Sequence, residues 1–238
     1  MAVSERKRRE LEQREGLILD VARRLFIERG FHGVTMDRIA EACEYSKGTI
    51  YGHFPNKEEI VFALATRAVH RTHSLFERAA RFQGGSRERM MAIGEAYAQF
   101  VRREPEDFRF WQMLRPDAMR DKVSPDRQQL FLGSEQSCVA IVSGIVRDGI
   151  SHGDLALPDD VTADDFAFGL WSLTFGAYFL DDSNELAKSL AGRDVFRAVR
   201  RHAHALMDGY GWKPLFANWD FEDTLQRIRD EVFPDARL

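Results

Sequence analysis

Residues 35–57 read TMDRIAEACEYSKGTIYGHFPNK, and this stretch decides the fold of the N-terminal part of the chain. Thr35 is a preferred helix N-cap, and the apolar residues after it recur at three- and four-residue spacing, which predicts a short helix with one buried face. Glu44 and Tyr45 form the turn, and Ser46 caps a second short helix. Two short helices joined by a tight turn are the outline of a helix-turn-helix.

The second short helix has the pattern of a helix that can lie in a major groove. Ile50 and Phe54 can anchor one side of it in a core. Lys47, Thr49 and Tyr51 fall on the other side and offer polar or aromatic side chains. The major groove of B-DNA is wide enough to admit an α-helix that carries such groups.

The order and spacing of these residues resemble the DNA-binding domain of TetR-family transcriptional regulators. A chance helix-turn-helix would not also reproduce the aromatic end of the recognition helix and the Asn-Lys-Glu start of the next helix. The resemblance covers roughly the first third of the chain. It rests on Gly30-Phe31, Val34-Thr35, Ile39-Ala40, Ser46-Lys47-Gly48-Thr49-Ile50-Tyr51, His53-Phe54 and Asn56-Lys57-Glu58.

Two positions depart from the family's usual pattern. Glu44 stands where the family usually has a turn glycine, and Gly52 stands where it usually has a larger polar residue. If the backbone at Glu44 is left-handed, a residue other than glycine costs roughly 1 kcal/mol there. We therefore expect unusual base readout near Tyr45.

We expect the DNA contacts to come from the two short helices and the start of the helix that follows. Helix starts present amide groups and charge to phosphates, whereas exposed side chains of the second helix face the duplex. For the two tyrosines, packing in the core is the alternative. The predicted DNA-binding residues are Thr35, Tyr45, Ser46, Lys47, Gly48, Thr49, Tyr51, His53 and Lys57.

The distribution of charge places the nucleic-acid face in the N-terminal part. The chain has a net charge of −4, but residues 1–82 contain 15 lysines and arginines against 12 aspartates and glutamates, which leaves −7 on the remainder. Residues 6–9 form a basic cluster that is either a flexible arm reaching DNA or a solvated helix end, since glutamates interleave with it.

Length and composition favour two helical domains in the cytoplasm. The 238 residues, 44% of them hydrophobic, suffice for two modest cores, and Gly84-Gly85 marks a boundary. We predict a DNA-binding domain with arm and connecting helix over residues 1–82 and an effector-binding and dimerisation domain over residues 83–238. Two distant cysteines and no signal peptide favour a reducing cytoplasm. The longest uncharged run, residues 166–180, is shorter than the roughly 20 residues of a membrane span, so no membrane contact is expected.

Apolar periodicity predicts an all-α fold with no paired strands. The first helix is expected to end at Gly30, and the fourth is expected to run from Asn56 to about Phe82. A linker is expected at residues 155–161. The remaining predicted helices cover residues 90–101, 108–114 with Pro116 as the stop, 125–149, 166–180 after a Thr162 cap, 195–207 and 219–233.

The helix at residues 166–180 is apolar on two nearly opposite sides, so both sides need cover. Phe168, Trp171, Phe175 and Tyr178 are predicted to share the aromatic side. Small residues at positions 169, 172 and 176 would let a partner helix approach closely. The TetR-family resemblance implies that the last two long helices form a four-helix bundle with a second subunit, and that the homodimer binds a palindromic operator on double-stranded DNA.

Aromatic side chains are dense on the helices that are expected to surround the centre of the second domain. The simplest interpretation is a well-packed core. The alternative is a pocket for a small hydrophobic effector, uncharged or weakly anionic, because ligand pockets are mostly apolar. The predicted ligand-binding residues are Phe108, Trp111, Phe131, Trp171, Phe175 and Tyr178.

No catalytic residue, cofactor or metal site is predicted. The sequence has no Gly-rich phosphate loop after a strand, no GxSxG elbow and no Cys/His pairing, and His70, His73 and Glu77 on one charged helix face are best read as solvated. We interpret the chain as a dimeric transcriptional regulator, a repressor that a small effector releases from DNA. The alternatives are a constitutive or architectural DNA-binding protein, and a helical enzyme with a decayed or moonlighting DNA-binding domain.

Overall fold

The computed structural model describes residues 2–114, 117–191 and 194–234, and every regular element in these ranges is a helix, which confirms the all-α fold. A short 3-10 helix at Phe216–Asn218 precedes the last α-helix. The α-helices are α1 (Ala2–Arg29), α2 (Met36–Cys43), α3 (Lys47–His53), α4 (Lys57–Ala80), α5 (Ser86–Arg103), α6 (Pro105–Gln112), α7 (Asp117–Arg120), α8 (Pro125–Ser151), α9 (Ala163–Ser183), α10 (Glu185–Ala191), α11 (Val195–Gly209) and α12 (Phe221–Val232).

The chain forms two compact units. Unit 1 comprises residues 1–69 and 106–133, and unit 2 comprises residues 70–105 and 134–238. The residues of α4 and α8 are therefore divided between the units. The domain division at residues 82 and 83 stays a prediction, and the compact units differ from it because residues 106–133 fold with the N-terminal residues.

The first three helices of unit 1 form the predicted helix-turn-helix. α1 packs against α2, and α2 packs against α3. Gly30 follows α1 with a left-handed φ of 67°, as predicted. Thr35 Oγ1 accepts from the Arg38 amide at 3.3 Å and Ser46 Oγ accepts from the Thr49 amide at 3.1 Å, so both predicted caps are confirmed.

Residues 122–127 hold the start of α4 from within unit 1. Arg127 Nε lies 2.6 Å from Glu59 Oε2, Arg127 Nη2 lies 3.2 Å from Glu15 Oε1, and the guanidinium carbon lies 4.7 Å from the centroid of the Phe54 ring. The Ser124 amide donates to Glu59 Oε1 at 2.7 Å. Glu59 is buried, so these partners offset the cost of removing its charge from water.

Unit 2 is built around α5, with α12 packed against it and α9 packed against α11. The Tyr97 ring of α5 lies 6.2 Å from Phe76 and 5.7 Å from Tyr178 between centroids. Glu95 of α5 is buried and accepts from Arg229 Nε of α12 at 3.1 Å. The pairing of Arg229 with the buried Glu95 carboxylate therefore ties α12 to α5.

A second ion pair, with a buried arginine, joins α5 to the end of α11. The Arg87 side chain is 0% exposed, and its Nη2 lies 2.7 Å from Asp208 Oδ1. Arg87 Nη1 also donates to the Trp212 carbonyl, and the Trp212 indole donates to Ser86 Oγ at 3.0 Å. Burial and the Arg87 charge lower the pKa of His204 to about 4, so this ring is neutral at neutral pH.

Helix prediction found the long elements and the capped short helices α2 and α3, but it missed two short helices of the later chain. α7 and α10 were not predicted, because these four and seven residues show neither a clear apolar period nor a serine or threonine cap of the kind that marks α2 and α3. The linker at residues 155–161 has no helix, and Thr162 caps α9 with the Asp165 amide 3.1 Å from its Oγ1. The predicted stop at Pro116 lies outside the described residues.

Replacing Glu44 with glycine is expected to stabilise the protein by roughly 1 kcal/mol. Glu44 has φ 56° and ψ 33°, and it is the one non-glycine residue with positive φ in the ranges described. Glycine adopts this conformation without a Cβ penalty. Urea denaturation at neutral pH measures the difference in the free energy of unfolding.

Glu41→Gly is the matched control, because it places glycine at an exposed site inside α2, where glycine costs about 1 kcal/mol relative to good helix formers. If Glu44→Gly is no more stable than the parent, the left-handed turn carries no strain.

Candidate nucleic-acid interface

One side of the recognition helix α3 is buried and anchors the helix, and the other side is exposed to solvent. Ile50 and Phe54 are fully or almost fully buried, whereas Tyr51 is 48% exposed and Lys47 and Gly48 are also exposed. Ser46, Lys47, Gly48 and Tyr51 therefore share one accessible surface. We call this exposed side of α3 the recognition surface.

Three of the predicted DNA-binding residues are also helix caps or cap partners. Ser46 Oγ lies 2.9 Å from Thr49 Oγ1 in addition to accepting from the Thr49 amide. Thr35 is exposed and caps α2. Helix N-termini carry partial positive charge, so the starts of α2 and α3 are favourable positions for phosphate.

Lys47 is held by a residue that sequence reasoning missed. Its Nζ lies 2.6 Å from Asp37 Oδ2 of α2, and the hydrogen bond to Asp37 raises the pKa of Lys47. Both side chains are more than half exposed, so water screens the pair. Because this pairing depends on the angle between α2 and α3, the sequence carried no signal for it. A phosphate could replace Asp37 as the partner of the ammonium.

Lys57 has a role in the fold that its sequence position did not show. Its Nζ donates to the carbonyls of Phe31 and Val34 at 2.9 and 3.2 Å, and it lies 4.1 Å from the centroid of the Phe31 ring. The ammonium therefore ties the loop after α1 to the start of α4. Its phosphate contact stays a prediction, as do the phosphate contact of His53 and the duplex contact of Tyr45, both half-buried.

The basic cluster at residues 6–9 forms a helical segment of the chain. It lies within α1, where Arg6 and Arg8 lie 2.9 and 3.5 Å from Glu10 and Glu12 one turn later. Pairs at this spacing stabilise a helix. These residues are therefore helical and not an extended arm, and their contact with DNA stays a prediction.

The six predicted ligand-binding residues are divided between the two compact units. Phe108, Trp111 and Phe131 are buried in unit 1, where the Phe131 ring lies 5.8 Å from the Phe62 ring between centroids. Trp171, Phe175 and Tyr178 belong to unit 2. The unit 1 residues fill a core, which is the simpler of the two interpretations given above.

The aromatic side of α9 differs from its prediction by one residue. Phe168, Trp171, Phe175 and Phe179 form a continuous row with centroids 6.4, 6.2 and 6.3 Å apart. Tyr178 instead points into unit 2, where burial raises its pKa. At about 100° per residue, position 179 falls closer than position 178 to the line through 168 and 175.

Two glycines of α9 lie in different surroundings. A Cβ at Gly169 would meet Leu206 of α11 at 3.9 Å, so this glycine faces a helix of the same chain. A Cβ at Gly176 would meet nothing within 4 Å. Of the two, Gly176 is therefore the position open to a partner helix.

Two features of the described residues bear on other functions. α8 is long and apolar enough to cross a bilayer by length and composition alone, a test that core helices of soluble proteins also pass. No group of three or more histidine, cysteine, aspartate or glutamate side chains in the described ranges is arranged to hold a metal ion. His70 instead pairs with Ser134 at 2.8 Å, and His73 lies 3.9 Å from Glu77.

The helix-turn-helix of unit 1 is shared with known proteins. Residues 18–64, from the buried part of α1 to the middle of α4, match the family model of bacterial regulatory proteins of the tetR family. Residues 18–64 therefore form a domain of the tetR family.

The chain is similar to known regulators of transcription. It is 33% identical over 98 residues to the transcriptional activator FasR of Mycolicibacterium smegmatis, a match that covers 41% of the chain and 45% of FasR. It is 45% identical over 56 residues to the transcriptional repressor AcnR of Corynebacterium diphtheriae, covering 24% of the chain and 30% of AcnR. The match therefore spans less than half the length of either relative. Both relatives are regulators, which agrees with the interpretation of the chain as a non-enzyme.

A solved structure extends the likeness in fold beyond the helix-turn-helix. The TetR-family repressor FadR of Thermus thermophilus, in complex with lauroyl-CoA, superposes with a TM-score of 0.59 at 21% identity. The match covers 82% of this chain and 94% of FadR. At that identity, the likeness shows a shared fold.

Proposed function

We propose that this TetR-family protein is a dimeric transcriptional regulator that binds a palindromic operator through the recognition surface of α3. The observation that carries the proposal is the exposed row of Ser46, Lys47, Gly48 and Tyr51 on a helix whose opposite side is buried. These residues lie within the segment that matches the family. The activities of the named relatives support regulation of transcription.

The recognition surface suggests a division of labour between phosphate and base contacts. Gly48 adds no side chain between Lys47 and Thr49, so the backbone at the start of α3 can approach the duplex closely. Lys47 supplies a charge for a phosphate, and the exposed Tyr51 ring can reach base edges in the major groove. The half-buried Tyr45 has less surface to offer.

Changes to Lys47 and Asp37 are expected to alter DNA affinity in opposite directions. Lys47→Ala should weaken binding and reduce the slope of log affinity against log salt by about 1, because one phosphate contact is lost. Asp37→Asn should tighten binding, because the amide no longer competes with phosphate for the ammonium. Fluorescence anisotropy measures the affinity at a series of salt concentrations, on a DNA fragment that the protein selects from a random-sequence pool.

Lys188→Ala is the matched control, since Lys188 is also an exposed lysine paired with a carboxylate, Glu185 at 2.8 Å, but lies in unit 2. Its affinity and salt slope should equal the parent's. If Lys47→Ala has the parent's DNA affinity at both low and high salt, the recognition surface does not contact the phosphate backbone of DNA.

We propose that the dimer is built on α9 and α11. The support is the aromatic row of α9, in which Phe168 is 64% exposed, with the open Gly176 beside it. An exposed apolar patch of this kind marks an interaction surface. Two-fold symmetry would present two recognition helices to the two halves of a palindrome.

Gly176→Arg is expected to convert the dimer into a monomer. The side chain has room in the single chain but would place an unpaired charge in the interface, at a cost of several kcal/mol. Sedimentation velocity should show the mass of one chain, and binding to a palindrome should fall while circular dichroism stays unchanged.

Gly94→Arg is the control, because Gly94 is an exposed helical glycine of unit 2 at which an added Cβ would have nothing within 4 Å. It should sediment as the parent. A dimeric Gly176→Arg protein would place the interface on another surface.

The proposed mode of action is repression that a small hydrophobic effector relieves. The support is FadR, which shares the fold and is a repressor in complex with lauroyl-CoA, whereas FasR is an activator and AcnR a repressor. An effector must prefer the conformation that does not fit the operator, because equal affinity for both conformations shifts nothing.

A constitutive DNA-binding protein without an effector is the alternative, and a thermal-shift screen of fatty acids and acyl thioesters separates the two. A compound that raises the melting temperature and also releases DNA supports the effector. If no compound in the screen releases the protein from DNA, constitutive binding is supported.

A further inference from the structure

A cleft of about 430 Å³ opens beside α11 in unit 2. It lies between one side of α11 and residues 216–222, which connect α11 to α12 and begin α12. Small-molecule sites in proteins have volumes in this range. None of the residues predicted to bind DNA or effector lines it.

The α11 side of the cleft carries guanidinium groups that are available to a ligand. Arg197 and Arg201 are exposed, lie one helical turn apart and form no ion pair with any residue that the structure describes. Arg200 also lines the cleft, with Nη1 3.9 Å from Glu95. Like charges one turn apart destabilise a helix, and an anion between them would relieve the repulsion.

The opposite side of the cleft is aromatic. Phe216 is 37% exposed, and its ring centroid lies 5.0 Å from that of Phe221. The His204 ring lies 4.9 Å from Phe216 and 5.4 Å from Phe221 at the base of the cleft. The cleft therefore offers aromatic ring surface on one side and guanidinium groups on the other.

The buried Arg87 fixes this arrangement without a ligand. Asp208, which pairs with Arg87, also accepts from the Phe216 amide at 3.1 Å through Oδ1. Asp208 lines the cleft and is 34% exposed, but Arg87 offsets its charge, and its bond to the amide holds Phe216 in place. His204 Nδ1 lies 3.5 Å from Arg87 Nη2, and the depressed pKa of His204 leaves its ring neutral. A site that is formed before binding loses less entropy when a ligand binds.

We propose that the cleft binds a small organic anion with a flat apolar body, such as an aromatic carboxylate or phosphate ester. Arg197 and Arg201 bind the anionic group, because guanidinium matches carboxylate and phosphate oxygens with paired hydrogen bonds. Phe216 and Phe221 contact the apolar body. Glu222 at the rim opposes the anion and limits its charge.

The cleft contains none of the residues of the aromatic row of α9 or of the recognition surface. On α11 it borders the exposed stripe of His202, Ala205 and Gly209, of which Ala205 lines it. Failure of the dimer or of the operator contacts would therefore leave this proposal standing, and the reverse also holds.

The test is calorimetric titration of the full chain with three probes that share one body: naphthoate, naphthyl phosphate and naphthamide. The two anions should bind saturably, and the neutral amide should bind at least about tenfold more weakly, which is about 1.4 kcal/mol. The ratio of the two anion affinities tells carboxylate from phosphate preference.

Variants that remove positive or negative charge from the cleft locate the site. The double change Arg197→Gln with Arg201→Gln should weaken anion binding at least about tenfold, and Glu222→Gln should tighten it severalfold by removing the opposing charge. Arg147→Gln is the control, since it removes the same charge from an exposed site on α8 and should stay within about twofold of the parent. The melting temperature of each variant checks that it is folded.

Four results would overturn the proposal. The first two are equal affinity for naphthamide and naphthoate, and an anion affinity that is unchanged in the double variant. The third is the absence of saturable binding by both anions up to about 10 mM. The fourth is a change in the sedimenting mass of the double variant, which would make the cleft an interface between proteins.

Discussion

A helix of seven residues has no stability of its own in water, and this constraint governs the recognition surface. α3 exists because Ile50 and Phe54 are removed from water on its inner side. Burying a side chain of either kind contributes about 1.5 to 3 kcal/mol, which exceeds what the caps supply. The outer residues of α3 are therefore free to differ in chemistry without loss of the helix.

The anchor at Phe54 is itself supported by a residue far away in the chain. Arg127 lies over the Phe54 ring and pairs with Glu59 and Glu15, so residues from α1, α4 and α8 meet behind the recognition helix within unit 1. Lys57 adds a tie between the loop after α1 and the start of α4. Charged side chains thus hold the surroundings of α3 in one arrangement, while its outer surface stays accessible.

Unit 2 uses a buried cation for a different purpose. Arg87 has no exposure, so its charge requires Asp208, and Asp208 in turn positions the Phe216 amide. The same contact neutralises a carboxylate that would otherwise oppose an anion in the cleft beside α11. One internal ion pair therefore sets both the path of the chain after α11 and the electrostatics of a surface site.

The sequence by itself determined the helix-turn-helix, because its signals are local. Caps such as Thr35 and Ser46, and the period that buries Ile39 and Ile50, act within a few residues. The tertiary structure alone decided which residues act together across long separations. Asp37 meets Lys47 through the angle between two helices, Arg127 of α8 reaches Glu59 of α4, and Phe108 and Trp171 fall in different compact units. The physical reason is that apolar periodicity shows which side of a helix is buried but carries no information about the partner that buries it.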